Sequence, residues 1–132
     1  MQDHSIFIIW KPEYDLGIPI IDEQHRGVVS IINSLYYGMK NNYVKSFLEP
    51  VINMLHDYTQ IHFQVEESFF VSSGFPDANS HIELHQALMS KLAEVGRKSM
   101  LDKDPYQLMD FLKKWWINHI CESDMLYRSY II

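Results

Sequence analysis

The sequence predicts an all-α fold, an up-down-up-down antiparallel four-helix bundle with an extended N-terminal arm. Three observations predict it. The chain has 132 residues, 47% of them hydrophobic, yet only 5 glycines and 5 prolines. That is apolar mass for one core, with too little turn chemistry for a many-stranded sheet. Apolar residues recur at steps of three and four in four separate stretches. The connections between the stretches are short, which makes sequential helices antiparallel neighbours.

The first 17 residues form the arm. Trp10, Tyr14 and Leu16 give it apolar anchors, while Pro12, Gly17 and Pro19 deny it a helix. Helix one is expected over about 19–40, with Ile21, His25, Val28, Ile32, Leu35 and Met39 on one face. Helix two is expected over about 44–71, with an inner stripe of Val51, Leu55, Tyr58, His62, Val65 and Phe69. Pro50 either kinks its start or sits in its first turn. Ser72-Ser73-Gly74 and Pro76 stop it. Helix three follows Asp77 as N-cap over about 78–99, presenting His81, His85, Leu88, Leu92 and Val95. Helix four opens at Asp104-Pro105 and runs over about 105–127, with Leu108, Leu112, Trp115 and His119 inward. The whole of residues 1–132 is expected to be a single domain.

Charge and cysteine usage exclude several classes of function. The net charge is -6 and no basic stripe is present, which argues against a nucleic-acid surface. No run approaches the ~20 apolar residues of a membrane span. No signal peptide precedes the arm, so the expected location is cytoplasmic. The one cysteine, Cys121, rules out an internal disulfide framework.

Histidine is the unusual entry, with 7 residues. Five of them interrupt the inner stripes where leucine is expected: His25, His62, His81, His85 and His119. His62 and Glu66 stack at a spacing of four, as do His81 and His85. His119 and Asp124, five apart, flank a site from two sides. His25 and His81 lie near the starts of their helices, His62 and His119 toward the ends of theirs. An antiparallel bundle therefore brings all five imidazoles and two carboxylates to one level. A single imidazole on an apolar face is usually a hydrogen-bonded core residue. Five with two carboxylates would be costly to bury without a cation.

Seven protein ligands exceed what one tetrahedral or octahedral ion can use. Two ions fit if Glu66 and Asp124 each bridge both. With one bridging oxo or hydroxo group, an ion with three histidines is six-coordinate. Its neighbour with two is five-coordinate and keeps a position for a small exogenous ligand. Nitrogen and oxygen donors without sulfur suit iron.

These residues carry a resemblance to the hemerythrins, and specifically to single-domain bacterial ones. The matching pieces are Trp10; Ile21-Asp22-Glu23-Gln24-His25; His62-Phe63 with Glu66-Glu67; His81 and His85; and Trp115 through His119-Ile120 to Asp124, then Tyr127. The resemblance implies a non-heme diiron centre that binds dioxygen reversibly, for storage, transport or delivery, and no enzymatic activity. It implies that His81, His85 and His119 hold the saturated iron, that His25 and His62 hold the open one, and that Glu66 and Asp124 bridge. Trp116, Phe63 and Ile120 are the expected ligand pocket. The alternatives are an oxygen, nitric oxide or redox sensor acting through a partner protein, and a diiron oxidase or peroxidase. Such oxidative sites are typically richer in carboxylates.

Around the ligand positions the expectations divide. Asp22 and Glu67 each either orient an imidazole through its outer nitrogen or lie solvated on the helix surface. Trp116 stands where the family usually has leucine, and it either narrows the pocket or turns outward. Cys121 is expected to be a small buried hydrophobe. His4 and His56 are bystanders, and Gly27 points to a close helix contact.

Overall fold

The computed structural model describes residues 8–41, 44–102, 104–115, 118 and 119. Its helices are α1 (Pro19–Lys40), α2 (Val44–Ser73), α3 (Ala78–Asp102) and α4 (Tyr106–Trp115). Each packs on the next, and α1 also touches α4, closing an antiparallel four-helix bundle. The expected continuation of helix four to residue 127 lies outside the described residues, as do Trp116, Ile120, Cys121, Asp124 and Tyr127.

The arm is held by polar contacts as much as by its apolar anchors. Ile8 and Asn33 exchange two hydrogen bonds: Ile8 N–H donates to Asn33 Oδ1 at 2.9 Å, and Asn33 Nδ2 returns one to Ile8 O at 2.9 Å. Trp10 packs edge-on against Tyr14, and the Arg26 guanidinium lies over its ring at 4.9 Å. Pro12–Tyr14 forms a single 3₁₀ turn. Gly17 then takes φ 86, a conformation that costs glycine nothing, and turns the chain into α1.

Asp22 makes that entry specific, and it corrects both expectations for this residue. Its carboxylate is neither solvated nor set against an imidazole. It is buried and accepts from Leu16 N–H at 2.7 Å and Gly17 N–H at 3.0 Å. The chain reversal at Gly17 exposes two backbone donors, and Asp22, one turn into α1, is the acceptor within reach.

The helix ends follow their local chemistry. Asp104 Oδ1 accepts from the N–H of Tyr106, the first residue of α4, at 3.0 Å, and Pro105, expected inside the first turn, instead flanks the helix, its carbonyl accepting from Met109 N–H at 2.9 Å. Gly74 has φ 70 and ends α2, with Phe75 N–H donating to Phe70 O at 3.3 Å and the two rings in contact. That is a Schellman closure with its apolar partner contact. Pro50 lies inside α2 without ending it.

The apolar stripes fall where the spacing predicts in α1 and α4, and differ in α2. There the turned-in residues are Leu48, Ile52, Leu55, Thr59, His62, Phe63, Glu66 and Phe70. Val51, Tyr58, Val65 and Phe69 flank them as half-buried neighbours. Apolar residues stand on both sides of this helix, so spacing alone leaves the rotation open by about one residue.

The core itself is split. One apolar cluster fills the end formed by Leu16, Ile18, Ile21, Phe70 and Phe75. A larger one begins at Val28 and Phe63 and fills the rest of the bundle. The buried histidines occupy the layer between them.

Candidate metal centre

Each helix delivers one part of that layer. α1 supplies His25, α2 supplies His62 and Glu66, α3 supplies His81 and His85, and His119 follows α4. All six side chains are at least nine-tenths buried, and Glu66 and His25 are fully so. Potential ligand atoms of Glu66, His81, His85 and His119 lie within 4.8 Å of one another, and so do those of His25, His62 and Glu66. Glu66 belongs to both groups. The remaining carboxylate of the expected set, Asp124, lies outside the described residues. His56, at the surface beside Asp57, belongs to neither group.

Two of the imidazoles, His62 and His85, present one nitrogen to the centre and the other to a side chain of the scaffold. Nε2 of His25, His62 and His85 faces the Glu66 carboxylate at 3.8, 3.5 and 3.2 Å. His85 Nδ1 lies 2.9 Å from Glu67 Oε2, and His62 Nδ1 lies 2.8 Å from Gln24 Oε1. A carboxylate can only accept, so His85 Nδ1 carries the proton and donates. In the neutral ring Nε2 is then a lone pair. It faces Glu66 Oε1 at 3.2 Å and His119 Nε2 at 3.1 Å. Lone pairs aimed at a carboxylate in a buried layer are stable only with positive charge among them.

Two sources of that charge are available, protons or a metal. Burial alone would raise the Glu66 carboxyl. The neighbouring His62, His25 and His85 outweigh it and hold Glu66 well below the usual carboxylate range. The site is thus built around an ionised carboxylate. Five imidazoles and one carboxylate, with outer nitrogens fixed by Gln24 and Glu67, suit a borderline cation such as iron. The residues therefore fit a diiron-type centre, with Glu66 placed to serve both halves.

Glu67 takes the orienting role that Asp22 does not. Gln24 was not singled out by spacing. Its signal was a polar residue beside a ligand histidine, but its partner, His62, sits on another helix. The walls are aromatic. Phe63 stacks face to face on His85, with centroids 3.7 Å apart and planes at 4°. Trp115 lies parallel to His119 at 6.3 Å, and Phe70 leans on His81 at 4.6 Å. Gly27 explains itself here. A Cβ at this position would run into the ring and hydroxyl of Tyr58, which donates to Gln24 O at 3.2 Å. The missing side chain lets α2 approach α1 beside the His25 and His62 rings, which are 4.7 Å apart.

The comparisons with known proteins agree with this construction. The model of the hemerythrin HHE cation binding domain matches residues 16–131. A bacteriohemerythrin of Clostridium acetobutylicum is 31% identical over 129 residues, spanning 93% of this chain and 98% of the relative. One from Stenotrophomonas maltophilia is 27% identical over 125 residues, 94% of this chain and 81% of the relative. A hemerythrin-like protein of Naegleria gruberi is 30% identical over 120 residues, 91% of this chain and 90% of the relative. In fold, a crystal structure of a hemerythrin mutant superposes with TM-score 0.84 at 22% identity, covering 96% of this chain and 98% of that one. The matched span contains every histidine and carboxylate of the buried layer, and the chain belongs to the hemerythrin family.

Proposed function

We propose that the chain binds dioxygen reversibly at a non-heme diiron centre, as a carrier, store or delivery protein rather than an enzyme. The observation that supports this reading most is the pair of overlapping ligand groups joined at Glu66. His81, His85 and His119 would hold one iron and His25 with His62 the other. Glu66 and Asp124 would bridge, with an oxo or hydroxo group as third bridge. Two histidines against three leave the second iron one ligand short, which is where an exogenous ligand would enter. When bound, the two irons supply the reversible exchange of electrons with dioxygen.

The chain's own residues provide the setting. Glu67 and Gln24 hold the Nδ1 protons of His85 and His62, so that in each neutral ring Nε2 is the nitrogen that would ligate. The two apolar clusters exclude water from above and below. Phe63, Trp116 and Ile120 would form the ligand pocket in this reading. The small number of carboxylates disfavours high-valent iron chemistry, which separates this centre from carboxylate-rich oxidases. A cytoplasmic setting belongs to the same reading. Among the described residues no helix is long and apolar enough to cross a membrane.

Metal analysis and optical titration test it. Two irons per chain are expected. Anaerobically reduced protein should gain a visible ligand-to-metal charge-transfer band in air and lose it when oxygen is removed. A band that never forms, or a centre that oxidises irreversibly within the mixing time, overturns the carrier reading. Replacing Trp116→Leu should change oxygen release or autoxidation rates, and unchanged rates would remove Trp116 from the pocket.

A further inference from the structure

Two residues with buried polar atoms line one cavity, and among the described residues none of the clustered histidines does. The cavity measures about 10 Å³ and lies between α2, α3 and α4, with Thr59 and Trp115 in its wall. The rest of the wall is leucine and phenylalanine, Phe63, Leu88 and Phe111 among them. Thr59 is 2% exposed and Trp115 5%. Neither Thr59 Oγ1 nor Trp115 Nε1 has a hydrogen-bond partner among the described residues.

Chemistry narrows what such a cavity takes. An indole N–H can only donate, and a threonine hydroxyl can donate or accept. The guest must therefore accept at least one hydrogen bond, which a purely apolar guest cannot do. A volume of about one probe sphere, roughly 10–15 Å³, admits one water-sized molecule where polar partners are at hand. Among the described residues no lysine, arginine or histidine lines the cavity, so an anion would sit there uncompensated.

We propose that Thr59 and Trp115 form a binding site for one uncharged, water-sized hydrogen-bond acceptor, a single water molecule. Its path to solvent is the groove between α3 and α4, about 240 Å³, which shares Leu88, Phe111 and Trp115 with the cavity. Its inner wall is Phe63, the ring stacked on His85. The site thus places one polar molecule a ring's thickness from the histidine layer, in a wall that is otherwise apolar.

The test compares the wild-type protein with Thr59→Val, which keeps the shape and removes the hydroxyl, at matched metal content. A hydrogen-bonded guest makes the hydroxyl stabilising, so Thr59→Val should shift the unfolding equilibrium about fivefold toward the unfolded chain, the worth of one typical hydrogen bond. An unfilled cavity reverses the sign, because the substitution then removes an unsatisfied buried hydroxyl. Neutral or increased stability overturns the proposal. A high-resolution crystal structure of the wild-type protein decides independently of the variant. It should show one ordered molecule within hydrogen-bond reach of both Thr59 Oγ1 and Trp115 Nε1, and its absence overturns the proposal. Neither readout uses dioxygen, so failure here is distinct from failure of the oxygen-binding reading.

Discussion

Removing the Glu67 carboxylate should loosen metal binding without touching a ligand. Glu67 Oε2 receives the Nδ1 proton of His85 at 2.9 Å. A hydrogen bond to a charged group contributes about 1.5–3 kcal/mol. Glu67 is 28% exposed, so water screens the pair and partly replaces the lost acceptor. We therefore take about 1–2 kcal/mol for Glu67→Ala. At 1.4 kcal/mol per tenfold, iron affinity should fall about 5- to 30-fold. Glu67→Gln keeps an acceptor but no charge, and should fall between the wild type and Ala. The assay is competition for iron against a chelator at fixed pH, with circular dichroism to confirm the fold. Wild-type affinity in Glu67→Ala would refute the claim that His85 depends on Glu67 for its tautomer and orientation.

Three further outcomes are expected. Gly27→Ala gains about 1 kcal/mol of helix propensity but drives a methyl into Tyr58, so it should destabilise by about 1–2 kcal/mol net; in a Tyr58→Ala background, where no ring meets the methyl, the same change should be neutral or stabilising by denaturant unfolding. Asp22→Ala removes both acceptor bonds that hold Leu16 and Gly17, and should cost about 2–4 kcal/mol and open the arm near Gly17 to limited proteolysis. Glu66 has a depressed folded-state pKa, so its stabilisation is complete above the ordinary carboxylate value of 4.5 and is lost as pH falls through the depressed one. Metal-free Glu66→Gln should therefore show a shallower loss of stability in acid than the wild type, measured as unfolding midpoint against pH.

The sequence by itself determined the architecture and the inward-facing histidines. Helical spacing is a local property, and imidazoles in the stripes of four antiparallel helices can only meet in the core. It also marked the ends that depend on local chemistry, such as Asp104-Pro105 before α4 and Gly74 after α2. Tertiary structure decided what depends on helix rotation and on partners far along the chain. Whether Asp22 or Glu67 supports an imidazole turned on which neighbour each side chain reaches. Asp22 meets the backbone donors of the arm, and Glu67 meets His85 across the α2–α3 interface. Gln24 and His62 are 38 residues apart, and no spacing rule links them. No local rule marks Thr59, which the packing of three helices encloses. Residue order decides which side chains a helix offers, but the angle at which helices pack decides which atoms face one another.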